Sequence, residues 1–156
     1  MKLTLLVVGK TTDPHIQALL QDYQKRLVHY LPFSLLVIPE LRNTKSLTPD
    51  QQKLAEGELI LRQITPATDL ILLDEHGQEY RSIEFAQYMQ KKMASGRDLT
   101  FVVGGPYGFS PAVYQRANGQ ISLSKMTFSH QMVRLFFLEQ IYRAMTILRG
   151  EPYHHE

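Results

Sequence analysis

The chain has 156 residues, 44% of them hydrophobic and 21% charged, with a formal charge of +2. That length suits one domain over 1–156, and a chain of this size buries roughly 70% of its unfolded surface without staples. There is no cysteine, which excludes disulfides, a thiol nucleophile and thiolate metal sites, while so slight a positive charge does not by itself argue for nucleic acid.

Leu3 to Val8 is an unbroken apolar run ending in Gly9, the pattern of a strand buried on both faces. It is too short for a membrane span and lacks a cleavage site, so a soluble, cytoplasmic protein is expected. From Asp13 to Tyr30, Ile16, Leu19, Leu20, Tyr23 and Leu27 recur at helical spacing, and Pro32 is expected to stop that helix. Phe33 to Ile38 reads as a second strand and Pro39 to Leu47 as an exposed, mobile loop. Thr48-Pro49-Asp50-Gln51 opens a helix to about Ile64, with Thr48 as N-cap, Pro49 first and Gln51 closing a capping box. Asp69 to Leu73 is a third buried strand, followed by a turn at Asp74-Glu75-His76-Gly77. Ile83 to Met93 is helical and closed by Gly96; Leu99 to Val103 is a fourth strand. After the glycine loop Gly104-Gly105-Pro106-Tyr107-Gly108, Ser110-Pro111 caps a short helix to about Ala117. Ile121 to Leu123 is a short fifth strand, and His130 to Leu148 is the last helix, ended by Gly150 and Pro152.

Strands alternating with helices predict an α/β fold with a mostly parallel sheet. The last helix is apolar nearly all round, with Glu139, Arg143 and Thr146 as a thin polar stripe. A helix of that kind is buried on more than one side. A second copy of the chain would cover it; the alternative is cover by the chain's own sheet and helices.

In a parallel α/β sheet, ligands bind beyond the carboxyl ends of the strands. The ends that stand out follow Leu73, Val103 and Leu123. Glycines after a strand let backbone turn sharply and approach a ligand closely, although a tight turn without a ligand accounts for them too. The Gly104–Gly108 loop lacks the Gly-Lys-Ser/Thr ending of a P-loop and the spacing of a dinucleotide fingerprint. No serine stands in Gly-x-Ser-x-Gly, and no histidine or carboxylate pair at helical spacing supports a metal. Group transfer from a bound small cofactor is the class that remains.

Gly104-Gly105-Pro106-Tyr107-Gly108, Leu123-Ser124-Lys125-Met126-Thr127-Phe128, His130-Gln131-Met132-Val133-Arg134, Glu139-Gln140-Ile141-Tyr142-Arg143-Ala144 and the ending Pro152-Tyr153-His154 together resemble the ribosomal RNA large subunit methyltransferase H family, of the SPOUT class. The resemblance runs from Met1 through the tail. It implies an α/β fold with a C-terminal trefoil knot, a homodimer, and methylation of N3 of pseudouridine 1915 in 23S rRNA. It implies S-adenosylmethionine as donor, no metal, and no DNA or membrane partner.

The resemblance also places the cofactor on Leu73, Gly104 and Leu123 to Phe128, that is on Leu123, Ser124, Lys125, Met126, Thr127 and Phe128, with Gly105 and Gly108 leaving room for its methionine part. Tyr153, His154 and Arg143 are the candidates for chemistry, reaching across the dimer: His154 to accept the N3 proton, Arg143 to steady negative charge. Tyr153 and His154 serve equally, on the other reading, to shape the RNA pocket. The family tail usually carries Arg or Lys where this chain has His155. Arg42, Lys45, Lys91, Lys92, Arg97 and Arg134 are candidate phosphate contacts, and assembled ribosomes are the expected substrate. A transfer-RNA substrate, or a ribosome-bound module without catalysis, are the alternatives.

Overall fold

The apolar runs Leu3–Val8 (β1) and Leu99–Val103 (β4) lie side by side at the centre of a parallel sheet in the computed structural model, which describes residues 1–155. Around them come Phe33–Ile38 (β2), Asp69–Glu79 (β3) and Gly119–Ser122 (β5), in the order β2-β1-β4-β3-β5. Every pairing between these strands is parallel. The helices are Pro14–Leu27 (α1), Pro49–Arg62 (α2), Ser82–Ala94 (α3), Pro111–Arg116 (α4) and His130–Leu148 (α5).

Two cores explain why β1 and β4 have no polar face. Leu3, Leu5, Val7, Phe101 and Val103 point to one side, where Leu20 of α1, Met89 of α3 and Phe137 and Ile141 of α5 meet them. Leu6, Leu72 and Val102 point to the other, against Ile60 of α2 and Val113 of α4. Each fully buried side chain of this size contributes roughly 1.5–3 kcal/mol.

The caps at Thr48 and Ser110 form as the sequence predicts, and the structure adds caps at Asp13 and Ser129. Asp13 accepts from the His15 and Ile16 N–H groups at 2.8 and 3.4 Å. Thr48 Oγ1 accepts from the Gln51 N–H at 3.1 Å while Gln51 Oε1 accepts from the Thr48 N–H at 2.9 Å. Ser110 and Ser129 cap α4 and α5.

Several expectations need correction. The first helix ends at Leu27 rather than running to Tyr30, because Val28 turns its N–H back to Arg26 and Gln24 and the chain leaves before Pro32 acts. The Pro39–Leu47 segment holds a 3-10 turn at Thr44–Ser46, preceded by Asn43 at φ +58°. Asp74 to Gly77 is not a turn that ends the third strand. It is an excursion inside β3: Leu73 and Gln78 both pair with Ile121, and pairing resumes through Glu79. Gly77 makes this possible, since a Cβ there would lie 2.6 Å from the Ile121 backbone.

The last helix spans the predicted residues, but its polar stripe is not on the surface. Thr146 is fully buried. Phe137, Leu138, Ile141, Ala144 and Met145 are covered by the chain itself, between α1 and α3, while Met132 and Phe136 remain 37% and 40% exposed.

Candidate functional site

Because β4, β3 and β5 are neighbours, the segments that leave their carboxyl ends are neighbours too. They enclose a cavity of about 400 Å³, within the usual size for a small-molecule site. Leu73 and the β3 excursion form one wall, Gly104 to Phe109 a second, and Ile121 to Ser124 with Met126 to Phe128 a third; His130 and Val133 at the start of α5 close it. Of the ten residues expected around a cofactor, Leu73, Gly104, Gly105, Gly108, Leu123, Ser124, Met126, Thr127 and Phe128 all line this space. Lys125 does not line it; its side chain is on the surface.

The glycine loop closes on itself through the Gly108 N–H, which donates to the Gly105 carbonyl at 3.2 Å. Gly108 sits at φ +81°, a left-handed conformation that a side chain disfavours. A Cβ on Gly108 would meet nothing, whereas one on Gly105 would run into the Glu56 carboxyl of α2. Gly105 therefore lets the loop sit tightly on α2, which is a different reason from leaving room for a ligand. Glu56 is buried, and burial raises its carboxyl above the ordinary carboxylate range, against a bond from Gln52 Nε2 at 3.2 Å.

The sequence reading missed Asp74 and Tyr114. The Tyr114 hydroxyl donates to Asp74, which also accepts from the His76 N–H at 2.8 Å. Burial, and then the bond to Asp74, push the Tyr114 hydroxyl up to about 12. Burial works to raise the Asp74 carboxyl, but the bonds from Tyr114 and His76 outweigh it and hold it below the usual range. No motif marks these residues; only the fold brings α4 back to the β3 excursion.

A second cavity of about 430 Å³ shares Ile121, Ser122, Leu123 and Phe128 with the first, and runs on along Tyr80, Phe136, Glu139 and Gln140. On the far side of Glu139 lie all three residues singled out for chemistry. Arg143 Nη2 donates to Glu139 Oε1 at 2.7 Å, and the Tyr153 hydroxyl donates to the same oxygen at 2.9 Å. Arg143 Nη1 stands 3.1 Å from His154 Nδ1, with its guanidinium carbon 4.9 Å from the Tyr153 ring centre. Burial, then bonds with Tyr23 and Glu139, raise the Tyr153 hydroxyl far above its ordinary value, so it stays protonated. The tail is anchored by the Tyr30 hydroxyl, which donates to Glu151 at 2.6 Å, and by the Glu151 N–H on the Thr146 carbonyl at 2.9 Å. His155 is exposed.

Three of the expected phosphate contacts are engaged within the chain. Arg134 is 2% exposed and donates to the carbonyls of Val8 and Gly9 at 2.8 and 2.9 Å and to Thr11 Oγ1 at 3.0 Å. It ties the end of β1 to α5 and is out of reach of a phosphate. Lys92 and Arg97 both bond Asp69, at 3.1 and 2.8 Å. Arg42, Lys45 and Lys91 remain exposed. Among the described residues, no group of three or more His, Asp or Glu side chains is arranged to hold a metal ion, and no helix is long and apolar enough to cross a membrane.

The family model described as "Predicted SPOUT methyltransferase" matches residues 1–154. Proteins named ribosomal RNA large subunit methyltransferase H are similar over the whole of both chains: that of Bacteroides thetaiotaomicron is 61% identical and that of Bacteroides fragilis 59%. Among solved structures, the SpoU methyltransferase AviRb from Streptomyces viridochromogenes, in complex with AdoMet, is similar over 97% of this chain and 59% of its own, at 14% identity and a TM-score of 0.48.

Proposed function

We propose, from the fact that this chain belongs to the SPOUT methyltransferase family, that it methylates N3 of a pseudouridine in large-subunit ribosomal RNA, with S-adenosylmethionine as donor. The reading includes position 1915 of 23S rRNA as the target, the assembled ribosome as the substrate, a cytoplasmic homodimer and a knotted C-terminal half. The observation that carries it is the cavity at the ends of β4, β3 and β5, where nine of the ten expected cofactor residues line one space.

The residues present fit such a donor. Leu73, Leu123, Phe128 and Val133 offer apolar walls for a purine. Main-chain groups of Gly104 to Gly108 and Ser124 to Phe128 offer the polar edge, and Gly108, at φ +81°, lets the loop turn there with no side chain over the cavity. Asp74 supplies a carboxylate at the rim, suited to a hydroxyl or a cation. When bound, S-adenosylmethionine supplies a methyl carbon already activated on a sulfonium, and the electrons of the breaking S–C bond return to sulfur. What this chain contributes is alignment: it holds the donor on one side and orients the target nucleobase on the other.

The rest of the reading calls for a second copy. Met132, Phe136 and the neighbouring ring of Phe128, 5.4 Å from Phe136, form an apolar face beside both cavities. In this reading a partner covers that face, and the Arg143, Tyr153 and His154 cluster of one protomer serves the cavity of the other. Isothermal titration calorimetry with S-adenosylmethionine tests the site: saturable binding is expected, weakened by Leu73→Asp. Absence of binding overturns the reading. Mass spectrometry of ribosomal RNA from a strain lacking the protein then tests the substrate, through a missing methyl group on pseudouridine.

A further inference from the structure

Arg143 decides where His154 carries its hydrogen. A guanidinium has five N–H donors and no acceptor, and Arg143 Nη1 faces His154 Nδ1 at 3.1 Å. Nδ1 therefore supplies the lone pair, and the ring hydrogen sits on Nε2. Arg143 has little freedom to do otherwise. Its Nη2 is held by Glu139 Oε1 at 2.7 Å, Glu139 Oε2 is held by Gln140 Nε2 at 2.9 Å, and Gln140 Oε1 accepts from the Ser82 hydroxyl at 3.1 Å. That line of bonds begins at the wall of the second cavity, where Ser82, Glu139 and Gln140 lie. At its end the Nε2–H is shut off from solvent and meets no acceptor among the described residues.

We infer that His154 acts as a hydrogen-bond donor, through Nε2–H, to a carbonyl oxygen of the target imide, and does not accept the imide proton. The inference rests on the proposed methylation of a pseudouridine and deepens it. Loss of the N3 proton to water leaves a charge shared with the two flanking carbonyl oxygens. The N3 electron pair then forms the new N–C bond as the S–C bond breaks toward sulfur, while the Nε2 hydrogen stays on the ring. A fixed donor aimed at an oxygen where charge develops is a strong form of stabilisation. The Nε2 edge of the ring must be uncovered to meet that oxygen while Nδ1 stays on Arg143, which keeps the tautomer ready for it.

The test is single-turnover methylation of ribosomal particles across the neutral pH range by wild type, His154→Gln and His154→Ala, with RNA binding measured beside it. A glutamine amide can donate near the Nε2 position but cannot take up a proton. His154→Gln is expected to stay within about tenfold of wild type with a parallel pH profile, and His154→Ala to fall by about a hundredfold with RNA still bound. A glutamine variant as inactive as the alanine one, with a rising limb of the wild-type profile lost in both, makes His154 the base and overturns the inference while the function stands. Imidazole 15N spectra of the folded wild type read the tautomer without any activity: hydrogen on Nε2 is expected, and hydrogen on Nδ1 overturns the inference. A wild type that methylates no ribosomal RNA overturns the proposed function instead, and is recognised because all three proteins are then equally silent.

Discussion

Arg134→Met separates a structural cation from an RNA contact. Methionine follows the aliphatic stem of arginine, so the change removes mainly the guanidinium. Three acceptors lose a partner: the Val8 and Gly9 carbonyls and Thr11 Oγ1. Each buried acceptor left unpaired costs about 1–3 kcal/mol. Against that, the guanidinium no longer has to be desolvated, and desolvation is what depresses the Arg134 pKa. A net loss of about 3 kcal/mol is expected, which for a chain of this size lowers the melting temperature by about 6–12 °C. Urea unfolding should show a lower midpoint at unchanged slope. The loss should also fall on the joint between β1 and the start of α5, read as faster amide exchange there than at β4. A variant as stable as wild type but weaker on ribosomal RNA would refute the argument and return Arg134 to the phosphate-binding surface.

Asp69 gives a pH prediction. Burial alone would raise its carboxyl; the bonds from Arg97 and Lys92 outweigh that and hold it below the ordinary range. Its stabilisation is therefore complete above the unfolded value of about 4 and is lost as pH falls through the lower folded value. Asp69→Asn should flatten the acid limb of the urea midpoint against pH, and parallel limbs in the two proteins would reject this. Tyr114→Phe removes one of the bonds that hold Asp74 at the cavity, leaving that from the His76 N–H, and should weaken S-adenosylmethionine about fivefold, close to one hydrogen bond; unchanged affinity in calorimetry would show that Asp74 does not need the Tyr114 bond. Gly77→Ala places a methyl group 2.6 Å from the Ile121 backbone and should destabilise the protein by about 1–3 kcal/mol. The same change should abolish cofactor binding, because it parts β5 from β3; wild-type stability and affinity in that variant would disprove the close approach.

How far the sequence could be read depended on the range of the interaction. The caps at Thr48 and Ser110 are contacts within three residues, and they were legible because the donor and acceptor are neighbours in the chain. The apolar runs of β1 and β4 were legible because a strand covered on both faces has no polar side to show. The excursion at Asp74–Gly77 was not, because a glycine before a polar residue reads as a turn whether or not the strand goes on. What decides it is the Ile121 backbone more than forty positions later. The same distance hid Tyr114 from Asp74 and Glu56 from Gly105. Arg134 misled for a related reason: an arginine reads as a candidate phosphate contact until three acceptors from residues 8 to 11 close around it.

The polar stripe of α5 shows what such a long-range contact does for function. Seen along the sequence, Glu139 and Arg143 form a pair one helical turn apart, worth a few tenths of a kcal/mol on an exposed helix. In the fold they are largely covered, and one carboxylate gathers Arg143, Tyr153 and Gln140 at once. Glu139 faces the second cavity on one side and the tail on the other. The wall of that cavity and the residues that hold His154 thus share a single side chain. The bonds to Glu139 are half-buried, and the one to Arg143 is the one whose loss would leave a partly covered charge unpaired. A helix that is apolar nearly all round, with one carboxylate at its middle, thus joins the wall of the second cavity to the chain's last residues.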